Sequence, residues 1–417
     1  MRTMDKKTRI LYMAFISLPL MLFLNASCIL KLKKPHFCTE NPQATLTLAL
    51  RSGTYADVIG RCLPEFEKRN NIRCEVIEYT EDELHGCIIG ESPQNYDLCM
   101  VDGSWMAEFT SKKVLANLSD LGYELDGDII PSTKKICYSN GSLYLAPYYG
   151  NVSVLLVNRL MAKEAGFTLD EIDSLEDIQK ICDFQKKRHN LGFMTRGDTE
   201  NNIVVDFLPI LLAHGGWVVD ENNAPTIDTP EFKSAMETYM ALVKTGRKAK
   251  KDDIIAAIAN KSAAFAIGWP GWYTPTKNSP MDYIAFSGKK TKDGERHNAN
   301  IYGIWTIGIP RSSKNKEHAK KLLEYLMDKE TQKSTIPFGG VPCRHSCLLD
   351  PNTLSKFPQY QAVCEALESG VYRPIMENWP AFYTILGSEM KSILNGEETI
   401  STGLHQAQWK LESTMKK

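Results

Sequence analysis

Residues 143–159 read LYLAPYYGNVSVLLVNR, an apolar extended run broken by Pro147, two adjacent tyrosines, Gly150 and Asn151. Proline removes a ladder donor and glycine weakens a strand interior, so the strand is expected to break at Tyr148-Tyr149 and present both phenol rings in an exposed crossing. Aromatic rings beside a lone amide suit a ring-shaped polar ligand. The same tyrosines also suit the core of a bent strand, since tyrosine is intermediate in burial.

Outward from this run, strands and helices alternate, which predicts an α/β chain. Residues 46–50 form a short apolar strand, and Arg51-Ser52-Gly53-Thr54 turns into a helix carrying Ile59, Leu63 and Phe66 on one face. Pro64 is expected to kink or restart that helix. Residues 96–101 are the next strand, bounded by Asp102-Gly103-Ser104, whose last residue can cap a helix beginning at Trp105. Ligands of open α/β sheets sit where strand ends meet such loops, because helix N-termini offer unpaired N–H donors there. Residues 52–55 and 102–105 are therefore expected ligand loops.

Several further stretches follow in order: YDLCMVDGSWMAEFTSKKVLANL (96–118), HGGW (214–217) with PTIDTPEFKSAMETYMALVKTG (225–246), FAIGWPGWY (265–273), YGIWTIGIP (302–310) with SSKNKEHAKKLLEYL (312–326), and FGGVPCR (338–344). Together with 141–159 they resemble the family 1 extracellular solute-binding proteins, the maltose-binding-protein-like capture subunits of ATP-binding-cassette sugar importers. The resemblance covers 45–417. It implies a two-lobed fold, each lobe a central β-sheet flanked by helices, with 45–149 plus 303–338 in lobe one and 150–302 plus 339–417 in lobe two. Three crossings at 149–152, 300–303 and 336–340 would form the hinge, their glycines absorbing the rotation of closure. It also implies a monomer that captures a mono- or oligosaccharide without catalysis or cofactor and hands it to permease subunits in the membrane.

Trp217, Trp269, Trp272, Trp305 and Trp379 fall in loops or at strand ends, a placement that points to a cleft. A pyranose has two faces of C–H groups and an equator of hydroxyls, so indoles cover the faces and polar side chains pair the edge. Asp102, Asn151 and Arg344 are the expected polar partners. Tyr148 and Tyr149 add rings, and Ser52, Thr54, Ser104 and Trp105 come from the two ligand loops. Ordinary burial competes with this reading, most strongly at Trp217 and Trp379. An acidic neighbour for Arg344 and a turn cap for Asp102 are the plain alternatives.

At the N-terminus, Arg2, Lys6, Lys7 and Arg9 precede an apolar run over 10–24, long for a signal h-region and short for a spanning helix. Asn25-Ala26-Ser27-Cys28 resembles a lipoprotein cleavage box, although Asn25 stands where leucine is usual. Residues 1–34 are thus expected to be an export signal and tether with lipid on Cys28; an uncleaved anchor and secretion are the alternatives. Each places the body outside the cytoplasm, tethered to the cell membrane or periplasmic.

Composition narrows the rest. Lysine plus arginine 49 against aspartate plus glutamate 50 leaves a formal charge of −1, so no field favours nucleic acid. The chain has 11 cysteines, but Cys62, Cys74, Cys87, Cys99, Cys137, Cys182 and Cys364 lie at unrelated intervals, which suits buried thiols better than a disulfide framework. Cys343-Arg344-His345-Ser346-Cys347 has three metal-type donors without a fourth nearby, so no metal is expected. Ferric-ion binding through Tyr148 and Tyr149 is one alternative function. A secreted carbohydrate-active enzyme is another, but no facing carboxylate pair can be placed.

Overall fold

A computed structural model describes residues 41–90, 96–273, 279–290 and 296–415; residues 1–34, read from the sequence as an export signal and tether with Cys28, lie outside them. Its main strands are β1 (Ala44–Arg51), β2 (Ile72–Tyr79), β3 (Leu98–Asp102), β4 (Leu145–Tyr149), β5 (Val154–Asn158), β6 (Leu191–Met194), β7 (Ala263–Gly268), β8 (Met281–Ile284) and β9 (Trp305–Gly308). They build two sheets, in the order β2-β1-β3-β9-β4 and β8-β5-β7-β6. In the first, β2, β1 and β3 run parallel, and β9 inserts antiparallel between β3 and β4. In the second, β7 is parallel to β6 and antiparallel to β5. Helices cover the sheet faces, and strands such as β3 and β7 are accordingly buried along their whole length.

Helix α1 (Thr54–Asn70) starts after Gly53, whose φ of 85° only glycine adopts freely, and buries Ile59, Leu63 and Phe66 on the first sheet. It neither stops nor restarts at Pro64, because its apolar face outweighs one lost hydrogen bond. Helix α2 (Glu81–Ile89) opens with a Thr80–Glu83 capping box, which sets Glu81 at its first position. Helices α3 (Glu200–Ala213), α4 (Tyr360–Ser369) and α5 (Trp379–Asn395) follow.

The expected break in β4 is instead a bulge. Trp305 of β9 faces Tyr149 and Thr306 faces Pro147, leaving Tyr148 as the extra residue. Both tyrosine rings are buried, not exposed.

Three chain passes lie side by side between the sheets. Ser153 N donates to the Ile301 carbonyl (2.8 Å) and Gly303 N to that of Asn151 (2.9 Å), which pairs the first two passes antiparallel. The third pass is Val371–Tyr372, parallel to Ile301–Tyr302. This corrects the crossing expected at 336–340, where Gly339 (φ 89°) merely closes a turn of 3-10 helix. Residues 341–348 stay with the first sheet: Ile130 N donates to the Cys343 carbonyl (2.9 Å), and Arg344 Nε to Gln332 (3.0 Å). Helix α4 touches both the Pro131–Lys134 turn and the second sheet, and so lies between the two.

Candidate ligand-binding cleft

The C-terminal ends of the parallel strands in both sheets face one cavity, the position open α/β sheets reserve for ligands. From the first sheet come Arg51 at the end of β1, Tyr55 in the first turn of α1, Glu81 at the start of α2, and Asp102 at the end of β3. Trp305 joins them because antiparallel β9 begins where β3 ends. Arg196 follows β6, Trp269 and Trp272 follow β7, and Asn201, Asn202 and Val205 lie in the first turns of α3. The passes between the sheets add Asn151, Gly303 and Arg373.

Two guanidiniums arrive already paired. Arg373 Nη2 donates to both Asp102 oxygens (2.7 and 2.9 Å), while Asp102 Oδ1 also accepts from Ser104 N and Oγ (2.8 and 2.7 Å). Arg196 Nε donates to Asp206 (3.0 Å) and Nη1 to Asn202 (2.7 Å), with its guanidinium 5.1 Å from the Trp272 ring. Arg51 and Glu81 have no ion-pair partner among the described residues. Burial, with Asp102 as a second cause, pushes the Glu81 carboxyl above its ordinary range. Arg51 Nε, Arg373 Nε and Asn151 Oδ1 are buried without a hydrogen-bond partner among the described residues. Such groups are rare in native proteins, and a hydroxyl, which both donates and accepts, can satisfy all three.

The aromatic groups are layered. Tyr55 lies 4.8 Å from Tyr149 and 5.5 Å from Trp305 between ring centroids, and Trp305 meets Trp105 edge-on at 5.5 Å and 87°. Asn151 Nδ2 donates to the Tyr55 hydroxyl (3.3 Å). A Cβ on Gly303 would lie 2.9 Å from the Trp269 ring, so only glycine lets that indole sit so close to the backbone.

Of the residues expected from sequence, Asp102, Asn151, Trp269, Trp272 and Trp305 line the cavity together. Thr54 reaches across it, its Oγ1 donating to the Gly271 carbonyl (3.3 Å). Ser52 and Ser104 steady the charged groups: Ser52 Oγ accepts from Arg51 (2.9 Å), and Ser104 holds Asp102. Trp105 backs Trp305, and Tyr149 backs Tyr55 while donating its hydroxyl to the Gly339 carbonyl.

Four residues are placed elsewhere. Tyr148 is buried behind the lining; burial drives its pKa and that of Tyr149 well upward, against the phenolate a ferric site needs. Arg344, 3 % exposed, spends its donors on Asp126 (2.6 Å), Gln332 (3.0 Å) and the Met327 carbonyl (2.6 Å), so its acidic-neighbour alternative describes it. Trp217 packs on the second lobe's core. Trp379 is buried in that same core, stacked on Phe382 at 5.3 Å and 25°.

Arg51, Glu81, Arg196, Asn201, Asn202 and Arg373 escaped the sequence reading. A signal existed for Arg51, which borders the 52–55 loop, and for Arg196, which follows a strand. Arg373 gave none, since it arrives from a pass expected elsewhere in the chain.

Comparison with known proteins agrees with this architecture. A family model described as bacterial extracellular solute-binding protein matches residues 63–362. A probable amino-acid ABC transporter periplasmic-binding protein of Sinorhizobium fredii is 21% identical over 378 residues, covering 85% of each chain. The arabinooligosaccharide-binding protein of Bacillus subtilis is 23% identical over 316 residues, 70% of this chain and 71% of that one. Among solved structures, maltose-bound MalE3 of T. maritima superposes with a TM-score of 0.76 at 23% identity, covering 89% of this chain and 100% of its own. A solute-binding protein of Agrobacterium radiobacter in complex with ribitol gives 0.78 at 21%, covering 90% and 100%. At these identities the structural likeness is one of fold, and it is the two-lobed fold described above. Since the family model spans most of its length, this chain belongs to the bacterial extracellular solute-binding proteins.

Proposed function

We propose that the protein captures a neutral mono- or oligosaccharide outside the cytoplasm by closing its lobes over it, and delivers it unchanged to the permease of an ATP-binding-cassette importer. The observation that carries this is one cavity, lined from both sheets, that combines three indoles with orphaned donors and an orphaned acceptor. Trp269, Trp272 and Trp305 cover ring faces, while Arg51, Glu81, Asn151 and the Asp102–Arg373 pair take the hydroxyl edge. Binding without turnover fits the carboxylates: Asp102 is locked by Arg373, leaving Glu81 without the second free carboxyl that glycoside hydrolysis uses. The sugar and polyol ligands named for the relatives and neighbours support the reading.

One observation favours an α-amino acid as a second reading: Arg51 and Glu81, without an ion-pair partner among the described residues, would suit its carboxylate and ammonium. A thermal-shift panel of mono- and oligosaccharides, polyols and amino acids decides between them, because a ligand at about 100 times its Kd stabilises by about 2.7 kcal/mol. Sugars are expected to shift the melting temperature and to be recovered intact by chromatography. A shift by amino acids alone, or cleavage of the glycan, overturns the proposal.

A further inference from the structure

We propose that His345, Cys364 and Glu368 form a zinc site, separate from the cleft, that staples the segment following Arg344 to helix α4. Cys364 and Glu368 stand four residues apart on one face of α4, and His345 opens the short helix His345–Leu348 packed against it. His345 Nε2 lies 2.7 Å from Glu368 Oε1, Cys364 Sγ lies 3.9 Å from the same oxygen, and all three donor atoms fall within 4.8 Å of one another. Tetrahedral zinc, with bonds of about 2.0–2.3 Å, holds its ligand atoms about 3.3–3.7 Å apart. The triad therefore closes on an ion through shifts of about 1 Å.

The donor set selects the metal. Imidazole and thiolate disfavour calcium and magnesium, while mixed nitrogen, sulfur and oxygen ligands suit zinc. His345 and Glu368 are solvent-accessible and give the ion its path, and Cys364 is buried. Cys343 and Cys347, neighbours of His345 in sequence, are buried apart from it; the Cys347 thiol donates to the Lys329 carbonyl (3.6 Å). A thiol binds zinc as thiolate, so binding releases the Cys364 proton to solvent and affinity rises with pH.

The site ties residues held on the first sheet's side to a helix that also touches the second sheet, just before the third pass. The test uses the full chain stripped with a chelator and titrated with zinc, and separately with cadmium as a thiolate reporter. One equivalent of zinc should bind and raise the melting temperature, and cadmium should give a thiolate charge-transfer band. Cys364→Ser should abolish the band, and His345→Gln and Glu368→Gln should each weaken zinc at least tenfold with ligand binding in the cleft unchanged. Absence of a one-equivalent site, or retention of the band in Cys364→Ser with unchanged zinc affinity in His345→Gln, overturns the proposal. His345→Gln alters a partly exposed side chain, so the test stands if Cys364→Ser does not fold.

Discussion

Arg344 and Glu81 show how burial directs two charged side chains to opposite ends. Arg344 is surrounded by acceptors, and the guanidinium helps hold Asp126 and Asp128 below the usual carboxylate range. For Asp126 the larger cause is the Asp128 backbone N–H; for Asp128, Ser346 and Arg344 outweigh a desolvation that acts the other way. Depressed carboxyls contribute stability that is present above their unfolded pKa and lost as pH falls through the folded one. Arg344→Met should therefore cost about 1.5–3 kcal/mol at neutral pH, discounted because Asp126 is half exposed, and should shrink the loss of stability in acid. Denaturant melts across pH check this; ligand affinity should not change.

Glu81 behaves in reverse, since burial raises its folded pKa. Its contribution is fully present below the unfolded carboxyl pKa and is lost as pH rises through the folded value. Glu81→Gln should remove that decline, leaving a variant at least as stable as the parent at neutral pH, while ligand affinity falls. An unchanged melting profile between weak acid and neutrality would show that Glu81 is not strained in the fold.

At the scale of elements, the loop after β7 and the start of α5 present two indoles that the sequence reading placed together among the expected ligand residues, with ordinary burial competing more strongly at the second. Trp272 is half-buried on a loop at the cavity, whereas Trp379 stacks within the second core. Trp272→Ala should weaken sugar about tenfold, or ~1.4 kcal/mol, with little effect on unfolding. Trp379→Ala should cost roughly 3–5 kcal/mol of stability and spare affinity. Calorimetric titration and melting of both variants give the contrast, and its reversal would reassign the two indoles. Gly303→Ala belongs here too: the added methyl would push Trp269 off the backbone, and affinity should fall more than stability.

For the whole molecule, the Thr54–Gly271 hydrogen bond across the cavity marks a closed arrangement with both lobes in contact. Capture by closure requires the closed state to be favoured by the ligand, since only differential affinity shifts a two-state population. Small-angle scattering should report a larger radius of gyration without ligand than with it; equal radii would argue for a preclosed cleft. The three adjacent passes restrict that motion to a hinge, because paired backbone segments bend together more readily than they separate.

The α/β class and the loops after β1, β3 and β7 were legible in the chain, because apolar strand runs and turn residues are local signals; the division into two sheets followed only from the family resemblance. That Trp269, Trp272 and Trp305 would meet at one cavity was legible for the same reason: they sit at the ends of strands. Tertiary structure alone decided that the tyrosines of β4 face inward, since a one-residue bulge reverses which face a side chain takes. It alone moved the third pass to Val371–Tyr372 and so brought Arg373 to Asp102, a partner 271 positions away. Local patterns carry burial and turns; the pairing of charges across such separations is set only when the lobes pack.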